Sequence, residues 1–114
     1  MRLAIVGSRN CPRIDLSLYL DCQPDVIVSG GARGVDTYAR EYAMEHHIPF
    51  VEFKPDYIKY GHRAPLVRNR WIVEGADQVL AFWDGKSRGT MHTVEYAKKL
   101  GKPVRIVLIQ DICK

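Results

Sequence analysis

The order of patterns along the chain predicts an α/β fold: three layers, α/β/α, around a mainly parallel five-stranded sheet. Three observations lead there. Five short β-branched runs alternate with segments whose apolar residues recur at helical spacing. The runs are mostly continuous in apolar residues, as strands covered on both faces require, whereas a half-wet antiparallel strand would alternate. The chain has 114 residues, 46% hydrophobic and 26% charged, which fits one domain, 1–114, long enough for a single core.

The first strand is expected at Leu3–Val6 and ends on Gly7. A short helix is expected at Arg13–Leu20, then a second strand at Val26–Val28. Val35, Tyr38, Ala39, Tyr42 and Ala43 fall at i, i+3, i+4, i+7 and i+8, one face of a helix. A third strand is expected at Phe50–Phe53 and a helix at about His62–Gly75. On that helix Ala64, Val67, Trp71 and Gly75 cluster on one side with Arg68 in the same arc, while Asn69 and Arg70 project to either side. A guanidinium on an apolar face needs a partner, either a carboxylate that clamps it or a ligand. The fourth strand is Val79–Phe82, and the next helix, Thr90–Leu100, is closed by Gly101 and followed by Pro103. A fifth strand follows at Val104–Ile109. Strands alternating with helices imply right-handed crossovers, with ligands bound beyond the carboxyl ends of the strands where strand order reverses.

Several classes of function fall away on composition. Seventeen Lys and Arg against thirteen Asp and Glu leave a net charge of +4, which suits an anionic partner without requiring nucleic acid. Val104–Ile109 is interrupted by Arg105 and is too short for a membrane span. The apolar run at the N-terminus is too short for a signal peptide, so a cytoplasmic protein with no membrane partner is expected. Cys11, Cys22 and Cys113 are widely spaced and are read as reduced thiols; neither a metal site nor a cofactor is expected.

The loops after strands one, two and four hold the unusual chemistry. Gly7-Ser8-Arg9-Asn10 offers a hydroxyl, a guanidinium and an amide beside a flexible backbone. Ser29-Gly30-Gly31-Ala32-Arg33-Gly34-Val35-Asp36 runs straight into a helix, so several backbone N–H groups can converge where the helix dipole favours phosphate. It has neither the Walker A nor the G-x-G-x-x-G spacing. Asp36 falls in the first helical turn, where it either complements the dipole or accepts from a ribose hydroxyl. Trp83-Asp84-Gly85-Lys86-Ser87-Arg88-Gly89-Thr90 also enters a helix. Arg9, Arg33, Lys86 and Arg88 against Asp36 and Asp84 put +2, half of the formal excess, on one expected edge. The plain alternatives are tight turns and solvated basic loops.

These motifs, with Pro55-Asp56-Tyr57, Tyr60-Gly61 and Arg68-Asn69-Arg70, resemble the YspA, cpYpsA-related branch of the SLOG superfamily over nearly the whole chain. The resemblance implies a compact Rossmann-like domain for a nucleotide or nucleotide-derived ligand, acting as a sensor or as a nucleotide-processing enzyme. The cytokinin-activating phosphoribohydrolases of the superfamily carry Pro-Gly-Gly-x-Gly-Thr-x-x-Glu. Here Gly89-Thr90 is followed by Thr93, and Glu95 comes two positions late, roughly 200° round a helix. The Ser-Gly-Gly-Ala and Arg-Asn-Arg stretches are also similar to those of the DNA-processing protein DprA, which binds single-stranded DNA.

Three functions are therefore expected in order. The first is a module that senses or sequesters a small phosphorylated nucleotide or ADP-ribose-like ligand. Glycine loops would hold phosphate, Arg33, Lys86 and Arg88 would neutralise it, and Tyr57, Tyr60 or Trp83 would stack on a base. Arg33→Ala is expected to weaken such binding about tenfold or more. The second is a nucleotide hydrolase, for which Asp36, Asp84 and Glu95 are the candidate catalytic carboxylates; His46, His47 and His92 are read as surface or capping residues. The third, DprA-like binding of single-stranded DNA, is least favoured, because no Lys/Arg cluster exceeds two residues. A homodimer is compatible with the exposed faces of the outer helices.

Overall fold

A computed structural model of the chain describes residues 1–30 and 34–112. Five strands, β1 (Arg2–Gly7), β2 (Val26–Ser29), β3 (Phe50–Glu52), β4 (Gln78–Trp83) and β5 (Val104–Leu108), form one sheet in the order β3-β2-β1-β4-β5. All four pairings are parallel, with Ala4 opposite Val28 on one side and Val79 on the other. Strand order therefore reverses between β1 and β4, which opens a crevice at their carboxyl ends.

The continuous apolar runs follow from coverage on both faces. Leu3, Ile5, Ile27, Leu80 and Phe82 pack with Val35, Ala39 and Ala43 of helix α1 (Val35–Glu45). Ala4, Val28 and Val79 point the other way, against Ile72 and Val73 of α3 (Ala64–Glu74) and Ala97 of α4 (Arg88–Lys99). The sheet thus divides the core into two. A four-residue helix α2 (Tyr57–Tyr60) precedes α3, with its N-terminus capped by Asp56, and α5 (Ile109–Ile112) follows β5.

Four expectations need correction. The helix expected at Arg13–Leu20 is a 3-10 turn, Leu16–Leu18. The Asp15 carboxylate accepts from the backbone and hydroxyl of Ser17 at 3.1 and 2.6 Å, local bonds that compete with a helix. The helix expected from His62 begins as α3 at Ala64, after a 3-10 turn at Gly61–Arg63. Its packed face is Ala64, Asn69, Ile72 and Val73, not the arc through Val67 and Gly75, because a second apolar side carries Trp71 against Tyr60 and Phe53. Finally, β5 stops at Leu108, and as an edge strand it leaves Arg105 and Ile106 exposed. No helix among the described residues is long and apolar enough to cross a membrane.

Candidate functional site

A cavity of about 460 Å³ occupies the carboxyl ends of β1, β2 and β4, where strand order reverses. The ends of β1 and β2 contribute Val6, Gly7, Ser29 and Gly30, and the loop after β1 adds Arg9 and Asn10. The first turn of α1 contributes Asp36, and the start of α4 contributes Ser87, Gly89, Thr90 and Thr93. One wall is α3, with Pro65, Leu66, Arg68, Asn69 and Ile72; Asp84 completes the rim.

Two glycines lie under close-packed neighbours. A Cβ on Gly7 would lie 2.4 Å from Val35 Cγ2 and 3.0 Å from the Phe82 carbonyl, so α1 can approach β1 only over a hydrogen. One on Gly30 would lie 2.5 Å from Ile72 Cδ1. The strand ends are stapled by polar contacts. Ser8 donates its N–H to the Phe82 carbonyl at 3.0 Å and accepts on Oγ from Asp84 N–H at 3.2 Å, and Ser29 Oγ donates to the Ile5 carbonyl at 2.9 Å.

Asp84 organises the turn into α4. Its Oδ1 accepts from the backbone N–H groups of Ser87 at 2.7 Å and Lys86 at 2.8 Å. These two bonds, with help from Ser8, hold the Asp84 carboxyl below its ordinary range, because each donor favours the charged form. Ser87 then caps α4 by accepting from Thr90 N–H, and Trp83 Nε1 closes the loop on the Ser87 carbonyl at 3.0 Å.

Arg68 joins three elements. Its Nη1 donates to the Gly30 carbonyl, and its Nε donates to Asn69 Oδ1 at 2.9 Å. Asn69 in turn donates to the Gly89 carbonyl at 3.4 Å. The carboxylate clamp considered for Arg68 is not its partner among the described residues; a carbonyl and an amide take that place. Burial pushes the guanidinium pKa down from its ordinary value. Asp36, 6% exposed, lies 3.6 Å from Arg40 one turn on, and Arg40 also pairs with Glu52.

The cavity brings together Gly7, Arg9, Ser29, Gly30, Asp36, Arg68, Asn69, Asp84, Ser87, Gly89 and Thr90 of the expected residues. Ser8 is buried in the staple beneath it, and Gly34, with φ at +77°, caps α1. Gly85, Lys86 and Arg88 are exposed outside the lining, as is Glu95. Tyr57, Tyr60 and Trp83 do not line the cavity either. Gly31, Ala32, Arg33 and Cys113 lie outside the described residues.

Among the described residues the lining charges are Arg9 and Arg68 against Asp36 and Asp84; Arg33, which belongs to the +2 counted along the sequence, lies outside the described residues. Pro65, Leu66 and Ile72 were missed, although Pro65, Arg68, Asn69 and Ile72 recur at the spacing of one helical face. Thr93 stands where the phosphoribohydrolase motif has its glutamate, lining the cavity and donating Oγ1 to the Gly89 carbonyl at 3.1 Å. No group of three His, Cys, Asp or Glu side chains able to hold a metal occurs among the described residues.

Comparison with known proteins bears on the same residues. The model of a family described as YspA, cpYpsA-related SLOG matches residues 1–60, which include the loops after β1 and β2. The Gene 61 protein of Mycobacterium phage D29 is 39% identical over 85 residues, covering 69% of this chain and 68% of that protein. No solved structure gives a significant match.

Proposed function

The chain belongs to the YspA, cpYpsA-related SLOG family, and on that premise we propose that it binds a nucleotide or ADP-ribose-like phosphorylated ligand in the β1–β4 cavity. Membership of this family points to a nucleotide-related function. The observation that carries the reading is the meeting of two helix starts, α1 through Asp36 and α4 through Ser87, Gly89 and Thr90, with Arg9 and Arg68 in one cavity. Exposed N–H groups and the positive end of a helix dipole favour phosphate. The volume falls within the roughly 300–1,000 Å³ of small-molecule sites.

Asp36 is suited to accept from a ribose hydroxyl. Among the described residues the lining holds two cations and two acids, which favours a compact ligand over a polymer, since single-stranded nucleic acid is bound along extended basic grooves. The output is sensing or sequestration of the ligand. A thermal-shift panel of nucleotides and ADP-ribose derivatives tests it. At a ligand excess of about 100 over Kd, stabilisation of about 2.7 kcal/mol raises Tm by roughly 10 °C in a chain of this size. No shift with any of them overturns the reading.

A nucleotide hydrolase is the second reading, and the buried Asp36 carboxylate in the lining favours it. The phosphoribohydrolase glutamate does not, because Thr93 occupies its place and Glu95 is exposed. Product formed from a bound nucleotide, lost in Asp36→Asn with binding retained, would separate catalysis from binding.

A further inference from the structure

Resting on the ligand-binding reading above, we propose that α3 supplies the base-binding side of the cavity, with Leu66 as its specificity-determining residue. The cavity then selects a nucleoside phosphate over a sugar phosphate of equal charge. The lining is asymmetric in chemistry. Carboxylates and hydroxyls come from the loop after β4 and from the starts of α1 and α4, through Asp84, Asp36, Ser87 and Thr90. Of the apolar side chains, Val6 ends β1, while Pro65, Leu66 and Ile72 all belong to α3. A ligand of phosphate and sugar alone would engage the first set and leave the second in water.

Leu66 is the informative member. Ile72 is 1% exposed and belongs to the core, whereas Leu66 lines the cavity and is still 45% exposed. A lone exposed leucine needs no explanation, but one beside Pro65 where the cavity meets solvent offers apolar surface for a ligand to cover. The polar side chains of the same wall are engaged elsewhere. Arg68 donates to the Gly30 carbonyl and to Asn69, with the Asp36 carboxylate close enough to favour its charge, and Asn69 donates to the Gly89 carbonyl at 3.4 Å. No aromatic side chain lines the cavity among the described residues. A base is therefore held by contact area against aliphatic groups, not by ring stacking.

Calorimetric titration of the full chain with AMP, GMP, CMP, UMP, ADP-ribose and ribose 5-phosphate tests the proposal. At least one nucleotide is expected to bind about tenfold or more tighter than ribose 5-phosphate, which has the phosphate and the sugar without a base. Leu66→Ala should weaken that nucleotide about fivefold, the effect of withdrawing roughly half a leucine side chain from a contact, and leave ribose 5-phosphate unchanged. Leu66→Asn, similar in size but polar, should lose as much, whereas Leu66→Met keeps the apolar reach and should retain the affinity. Three results overturn this inference and leave the ligand-binding reading standing. They are equal affinity for ribose 5-phosphate, an equal loss for both ligands in the variants, and unchanged nucleotide affinity in Leu66→Ala and Leu66→Asn. A changed oligomeric state alongside unchanged affinity would assign Leu66 to an interface between copies instead. Absence of binding by every probe overturns both.

Discussion

Single residues hold the site open by what they lack or by what they accept. Gly7 has no side chain because Val35 Cγ2 and the Phe82 carbonyl occupy the position of a Cβ. Gly7→Ala should cost about 1–3 kcal/mol in urea unfolding, the usual effect of overpacking a core that cannot relax. Asp84 acts in the opposite sense, through hydrogen bonds its charge strengthens. Because its folded pKa lies below the ordinary 3.8, its stabilisation is complete above that value and is lost as pH falls through the folded pKa. The stability difference between the native chain and Asp84→Asn, measured by urea unfolding, should therefore be present at pH 6 and shrink below pH 3.8. Gly7 and Asp84 were both legible as loop residues with chemistry. Their packing and bonding partners were not, because those come from segments up to 76 residues away.

At the scale of elements, the contact between the α4–β5 loop and the end of α3 shows how a helix end is secured from a distance. Lys102, in the loop before β5, donates Nζ to the carbonyls of Val73 at 2.7 Å and Ala76 at 2.6 Å, and to Glu74 at 3.4 Å. These are groups at and just beyond the C-terminus of α3, where a cation is favoured and carbonyls have no partner within the helix; that of Val73 also accepts from Ala76 N–H at 3.2 Å. Lys102→Met keeps the stem and removes the donor, so a loss of about 1–3 kcal/mol is expected in thermal or urea unfolding. Faster amide exchange in the last turn of α3 would accompany it. The sequence marked α3 as a helix but misassigned its face, because apolar residues lie on two sides of it. Which side meets the sheet is settled by α4 and the aromatic cluster of Phe53, Tyr60 and Trp71.

Over the whole molecule, two apolar clusters lie on opposite faces of one sheet and share its strands. Neither can lose its strands without the other, so denaturation followed by fluorescence and by far-UV circular dichroism should give coincident, single transitions. Separate midpoints would show that the two layers unfold independently. The sequence by itself determined the α/β class, the five strands and the three loops at their carboxyl ends, because strand runs, helical periods and glycine-rich junctions are written locally in the chain. Only the tertiary structure decided which of those loop residues meet. It turned Arg68, Asn69 and Ile72 toward the cavity and left Lys86, Arg88 and Glu95 outside its lining, which among the described residues carries Arg9, Arg68, Asp36 and Asp84. The physical reason is that direction and distance between side chains depend on how α3 and α4 pack on the sheet, and no local pattern encodes that contact.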